Sequence, residues 1–207
     1  MLSRSRGFSV IELLIAMVAG VLVLAGALSL FSTVLASGNT TLMLSRLNQE
    51  VQGIGDMISR DLQKTGYHPD IAAGLAAHYA FSVTDDLYTE PGASGQHCVR
   101  IKYWDASSPS DKQARVRIYS HNRGTRQLKV RIAHNAADAT ALSELCGSGS
   151  KLISSEEISV DRLSVVPVSG ADSPSLQLTI TASHTQRSDL TMSLQRHVYL
   201  RNQRVVP

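Results

Sequence analysis

The sequence predicts an α+β fold: one long N-terminal helix, membrane-spanning in its first half and amphipathic in its second, packed on an antiparallel β-sheet. Three observations predict it. Apolar residues fill positions 8–36 with a single charge, Glu12. From Leu44 they recur at helical spacing, and beyond residue 70 they alternate with polar residues, the period of a strand. With 207 residues, 43% hydrophobic and 18% charged, the chain is neither a disordered tail nor a polytopic membrane protein. Its 20 basic and 17 acidic residues are too balanced to demand a nucleic-acid partner.

The first element begins after MLSRSRG, which carries Arg4 and Arg6. From Leu13 to Ala36 no residue is charged. That run, coiled at about 1.5 Å per residue, is about 36 Å long and crosses a bilayer core. Basic residues before it predict a cytoplasmic N-terminus, with the remainder outside. The stretch is too long for an ordinary secretory signal, and the small residue Gly7 precedes it instead of following it. A plain anchor does not account for Glu12, because a carboxylate one turn into a spanning helix costs free energy and needs a partner.

The second half of the helix is one-sided. Leu44, Leu47, Val51, Ile54, Ile58 and Leu62 line one face, and Asp56 precedes Arg60 by four. Gly66 and Pro69 stop it. The reading is one helix over about residues 8–65, about 87 Å if unbroken, with Ser37-Gly38-Asn39 as its weak point. Then Val99, Ile101 and Tyr103 alternate with polar neighbours. So do Ala114, Val116 and Ile118, then Leu128, Val130 and Ile132, and later Leu163–Val165, Leu176–Ile180 and Leu190–Leu200. Such alternation predicts antiparallel sheet with one dry face, which lies on the helix. Stretches 84–96 and 134–150 read as loops, and Gly170–Pro174 as a turn.

The leader is the most specific feature. Arg6-Gly7-Phe8-Ser9-Val10-Ile11-Glu12-Leu13-Leu14 resembles the prepilin signal of the type IV pilin superfamily, which includes pilins, minor pilins and the pseudopilins of type II secretion. The resemblance implies a type IV pilin-like fold and cleavage by prepilin peptidase between Gly7 and Phe8. It also implies N-methylation of Phe8 and retention of the helix as anchor and later filament core. Glu12 then docks against the Phe8 amine of a neighbouring subunit, so that both charges leave lipid as a pair. Cleavage would remove Arg4 and Arg6 and leave 18 basic against 17 acidic residues. The implied organisation is a leader at 1–7, a transmembrane and filament-core helix at 8–36, an amphipathic half at 37–66 and an extracytoplasmic β domain at 67–207.

Two shorter stretches narrow the branch. Asp61-Leu62-Gln63-Lys64-Thr65-Gly66-Tyr67 is similar to the helix end of PilW-type minor pilins. Val198-Tyr199-Leu200-Arg201-Asn202 is similar to an ending those proteins share with J-type minor pseudopilins. The resemblance implies a minor pilin that primes or joins pilus assembly. The alternatives are a minor pseudopilin of type II secretion and a pilus-borne DNA-binding subunit. The implied partners are other minor and major pilins, prepilin peptidase and inner-membrane assembly proteins, with the chain in the bacterial inner membrane and then in a pilus or pseudopilus.

No enzyme is expected. The seven histidines make no helical pair or zinc-protease motif, and no cofactor or metal site is expected. Asp85-Asp86 reads as a polar turn in preference to a calcium site. Cys98 and Cys146 are expected to bridge in an oxidising compartment, the alternative being two separate buried thiols. Arg100, Lys102, Arg115, Arg117, Lys129 and Arg131 fall at polar positions of three successive strands. If those strands are neighbours, the six cations share one face, which would bind an anion such as a DNA backbone. A solvated face with counter-charges from loops is the plainer reading.

Overall fold

The computed structural model describes residues 9–70, 78–134, 140–153, 156–168 and 174–202. Compact units divide at Leu44/Ser45. Helix α1 runs Val10–Lys64. Ser37, Gly38 and Asn39 are helical, so the expected weak point is not a break.

The unit from Ser45 onward owes its core to the stripe read from the sequence. Leu47, Val51, Ile54, Ile58 and Leu62 are buried, whereas Leu44 is 41% exposed. Gly55 allows a close approach, since a β-carbon there would run into the Leu194 side chain. The helix ends where Gly66 takes a positive φ of 79°, a conformation cheap only for glycine. Its last carbonyls are satisfied from far along the chain. The Asn202 side-chain amide donates to Gln63 O at 3.2 Å, Thr65 O at 3.3 Å and Lys64 O at 3.4 Å.

The strands form two antiparallel sheets. The first has the order β1 (Leu87–Thr89), β2 (Gln96–Trp104), β3 (Ala114–Asn122), β4 (Gln127–His134), β5 (Ser150–Lys151). The second has β6 (Ile158–Pro167), β7 (Ser175–His184), β8 (Thr191–Tyr199). All pairs are antiparallel. The physical reason for the split lies at β6. It pairs with β7 alone among strands, and it meets the first sheet through side chains and isolated backbone bonds. Val160 N donates to Arg126 O at 3.0 Å, His121 Nε2 donates to Val160 O at 2.7 Å, and Val165 N donates to His97 Nε2 at 3.2 Å. A register shift around Asp161 bulges β6 there.

Both faces of the first sheet are covered, not one. Val99, Ile101, Tyr103 and Tyr119 join the main core with α1 and the second sheet. On the opposite face Cys98, Val116 and Ile118 form a smaller cluster with Leu142 and Leu145. Stretches read as loops supply that cover and an edge: Val83–Asp86 and Leu142–Leu145 are single helical turns, and β1 lies within 84–96. Most of the turn at 170–174 lies outside the described residues.

Candidate functional site

Two regions bear on function: the apolar half of α1, and the contacts that hold its other half to the sheets. In the first, large apolar side chains from Leu13 to Leu35 are 57–73% exposed. An uncovered apolar surface of this length is stable in lipid or against other apolar helices, not in water. The hydroxyls fit that setting. Thr33, Thr40 and Thr41 donate to the carbonyls of Ser29, Ala36 and Ser37 at 3.0–3.1 Å, so they do not present unpaired donors. Glu12, in the first turn, accepts from Ser9 N at 3.1 Å, where the helix N-terminus favours an anion. Gly7 and Phe8, the expected cleavage and methylation positions, lie outside the described residues.

In the second region three polar ties hold α1. Asp61 is 2% exposed and accepts from Tyr119 Oη at 2.5 Å and Arg117 Nη1 at 2.7 Å, with Lys64 Nζ 3.7 Å away. Burial pushes the Tyr119 phenol pKa up, and the Asp61 carboxylate beside it pushes the same way. Toward the middle of the helix, Arg196 of β8 forms an ion pair with Asp56 and donates to Gln52 Oε1 at 2.8 Å. The Arg196 hydrogen bond holds the Asp56 carboxyl below its usual range. Asn202 caps the end. The two short stretches flagged in the sequence, Asp61–Tyr67 and Val198–Asn202, therefore meet in space, a relation that neither reveals alone.

The six basic residues do not share a face, which corrects that expectation. The strands are neighbours, but the register pairs Arg100 with Ile118 and Ile101 with Arg117. Arg115 and Arg117 thus lie on the core side with Tyr119. Arg100, Lys102, Lys129 and Arg131 lie on the other, because Ile118 pairs with Arg131. Partners are close in both groups. Arg100 Nε and Lys102 Nζ lie 2.7 and 3.1 Å from the fully buried Asp86. Arg115 lies 3.3 Å from Asp105. Lys129 donates to Gly147 O and Arg131 to Ser148 Oγ. Asp86 is spent on two cations and Asp85 on the Ser82 hydroxyl, so this pair serves a turn.

Cys98 and Cys146 are bridged, with Cα atoms 5.9 Å apart. The bridge fastens the Leu142–Leu145 turn over the small cluster. Trp104 packs edge-on to His68 at 4.9 Å and Tyr79 at 6.4 Å. The sequence reading missed the roles of Asp61, Asn202, His97 and His121. The lone acid Asp61 inside the apolar stripe was the available signal.

A profile of the prepilin peptidase-dependent protein B family matches residues 40–200, well over half the chain. The chain belongs to the prepilin peptidase-dependent protein B family. The prokaryotic N-terminal methylation motif matches residues 2–28, so this family member is a type IV pilin-like protein by both halves. Its structure is also similar to that of a type IV-like pilin from Thermus thermophilus, at TM-score 0.47 and 12% identity, over 76% of this chain and 98% of that one. No protein of curated function matches the sequence.

Proposed function

We propose that this family member is a minor pilin, structural and not catalytic, that primes or joins type IV pilus assembly through α1. Prepilin peptidase cleaves after Gly7, the new Phe8 amine is methylated, and the apolar half of α1 anchors the chain in the inner membrane with the β domain in the periplasm. The helix then passes from lipid into a filament among other pilins. One observation carries the reading: a long helix whose first half, from Val10 to Leu35, leaves every large apolar side chain uncovered, with one carboxylate, Glu12, in its first turn. In lipid that carboxylate is costly alone. Pairing with the amine of an adjoining subunit removes both charges and fixes the axial register of the two helices. A minor pseudopilin of type II secretion uses the same physics, and the Val198–Asn202 ending is similar in both branches.

Deletion of the gene, with surface pili and secreted protein scored separately, tests the assignment. Loss of pili with secretion intact supports it. Loss of secretion with pili intact transfers the protein to the pseudopilin branch.

A further inference from the structure

The seam between the two sheets holds a cavity of about 580 Å³, within the range of small-ligand sites. It lies wholly in the unit from Ser45 onward and owes nothing to the filament reading. Leu87, Val166 and Pro167 give it an apolar wall, and Thr89, Arg123 and Arg162 give it polar groups. Two histidines, opposite each other on β2 and β3, also line it. Their ring protons are fixed by their partners. His97 Nε2 accepts from Val165 N, so Nδ1 carries the proton and donates to Thr89 Oγ1 at 2.7 Å. His121 Nε2 donates to a carbonyl. Burial pushes both imidazoles toward their neutral forms.

The charge balance around them is uneven. Arg123 and Arg162 line the cavity together with one carboxylate, Asp161, and Arg126 stands beside that carboxylate. Arg126 takes that carboxylate, with Nε 2.7 Å and Nη2 2.5 Å from Oδ1. Arg123 spends one donor on Gly92 O at 3.2 Å. Arg162 meets no acceptor among the described residues. The bulge at Asp161 shifts the alternation of β6 just before Arg162, and bulges commonly re-aim side chains at functional sites. Guanidinium forks match carboxylates in geometry as well as charge.

We infer that this seam cavity binds a carboxylate-bearing ligand with a modest apolar body. The carboxylate lies on Arg123 and Arg162, and the body lies against Leu87, Val166 and Pro167. An acidic side chain of another protein and a free organic acid present the same chemistry, and the test separates them.

The test uses the full chain in non-ionic detergent micelles at constant ionic strength. His97 and His121 ring signals are followed by NMR while N-acetyl-leucyl-glutamate amide, hexanoate or sodium chloride is added. A saturable shift of His97 with a carboxylate, absent with chloride, supports the site. The Arg123→Gln/Arg162→Gln double variant should fold with the same far-ultraviolet circular dichroism and lose at least about tenfold in affinity. Tighter binding of the peptide than of hexanoate supports a protein side chain as the source. Equal binding supports a free acid. An equal response to chloride, or undiminished affinity in the double variant, overturns the inference.

Discussion

Replacing Asp61 by alanine isolates the tie between α1 and the first sheet. Asp61 is buried and holds Arg117 and Tyr119 from one carboxylate. Removing one partner of a buried ion pair costs about 3–5 kcal/mol, because the other charge is stranded. Arg117 keeps a quarter of its side chain in water, which places the ionic part at the low end. The Tyr119 hydroxyl, fully buried, loses its acceptor and adds about 1 kcal/mol or more. The expected loss is therefore about 3–4 kcal/mol. Asp61→Asn, which retains an acceptor for Tyr119, should lose less. The assay is urea unfolding of the full chain in detergent, read by far-ultraviolet circular dichroism and by the fluorescence of Trp104, the one tryptophan. In an Arg117→Met background the Asp61→Ala cost should shrink by more than about 1 kcal/mol, since contacting pairs are not additive. A loss below about 1 kcal/mol, or additivity with Arg117→Met, would refute the claim that this cluster docks the helix.

Four further outcomes are expected. His97 is pushed down from 6.5 to about 4 by burial, with Arg123, His121 and Arg162 adding repulsion. The unfolded chain therefore binds more protons between these values. Stability is full above about pH 6.5 and falls by up to about 3 kcal/mol as pH drops to about 4, and His97→Gln should flatten the lower part of that curve in urea titrations. Cys98→Ser should leave Cys146 as one titratable thiol and cost about 4 kcal/mol in the chain-entropy account of a loop of 48 residues; a thiol already reactive in the unaltered protein would contradict the bridge. Gly55→Leu should cost about 1–3 kcal/mol by overpacking against Leu194, measured as a lower thermal midpoint. Glu12→Gln should be cleaved and membrane-bound yet recovered poorly in sheared filaments, and normal recovery would remove the docking role of that carboxylate.

The features legible before folding were those set by neighbours along the chain. A run without charges must coil and avoid water wherever the remainder folds. The leader around Gly7, Phe8 and Glu12 is read from contiguous residues. The stripe Leu47–Leu62 follows from a 3.6-residue period, and strand positions follow from a two-residue period. Tertiary structure decided what depends on pairing across distance. Register alone set Arg117 on the core side and Arg100 on the other, because a shift of one residue would exchange the faces of a strand. The alternation pointed to one dry face, yet Val116 and Ile118 serve a second cluster closed by Leu142, Leu145 and the Cys98–Cys146 bridge. Asp61 finds Arg117 56 residues away, and Val165 finds His97 68 residues away. Such contacts leave no local pattern, since a buried polar group needs only a partner of fitting chemistry, not one at a fixed spacing.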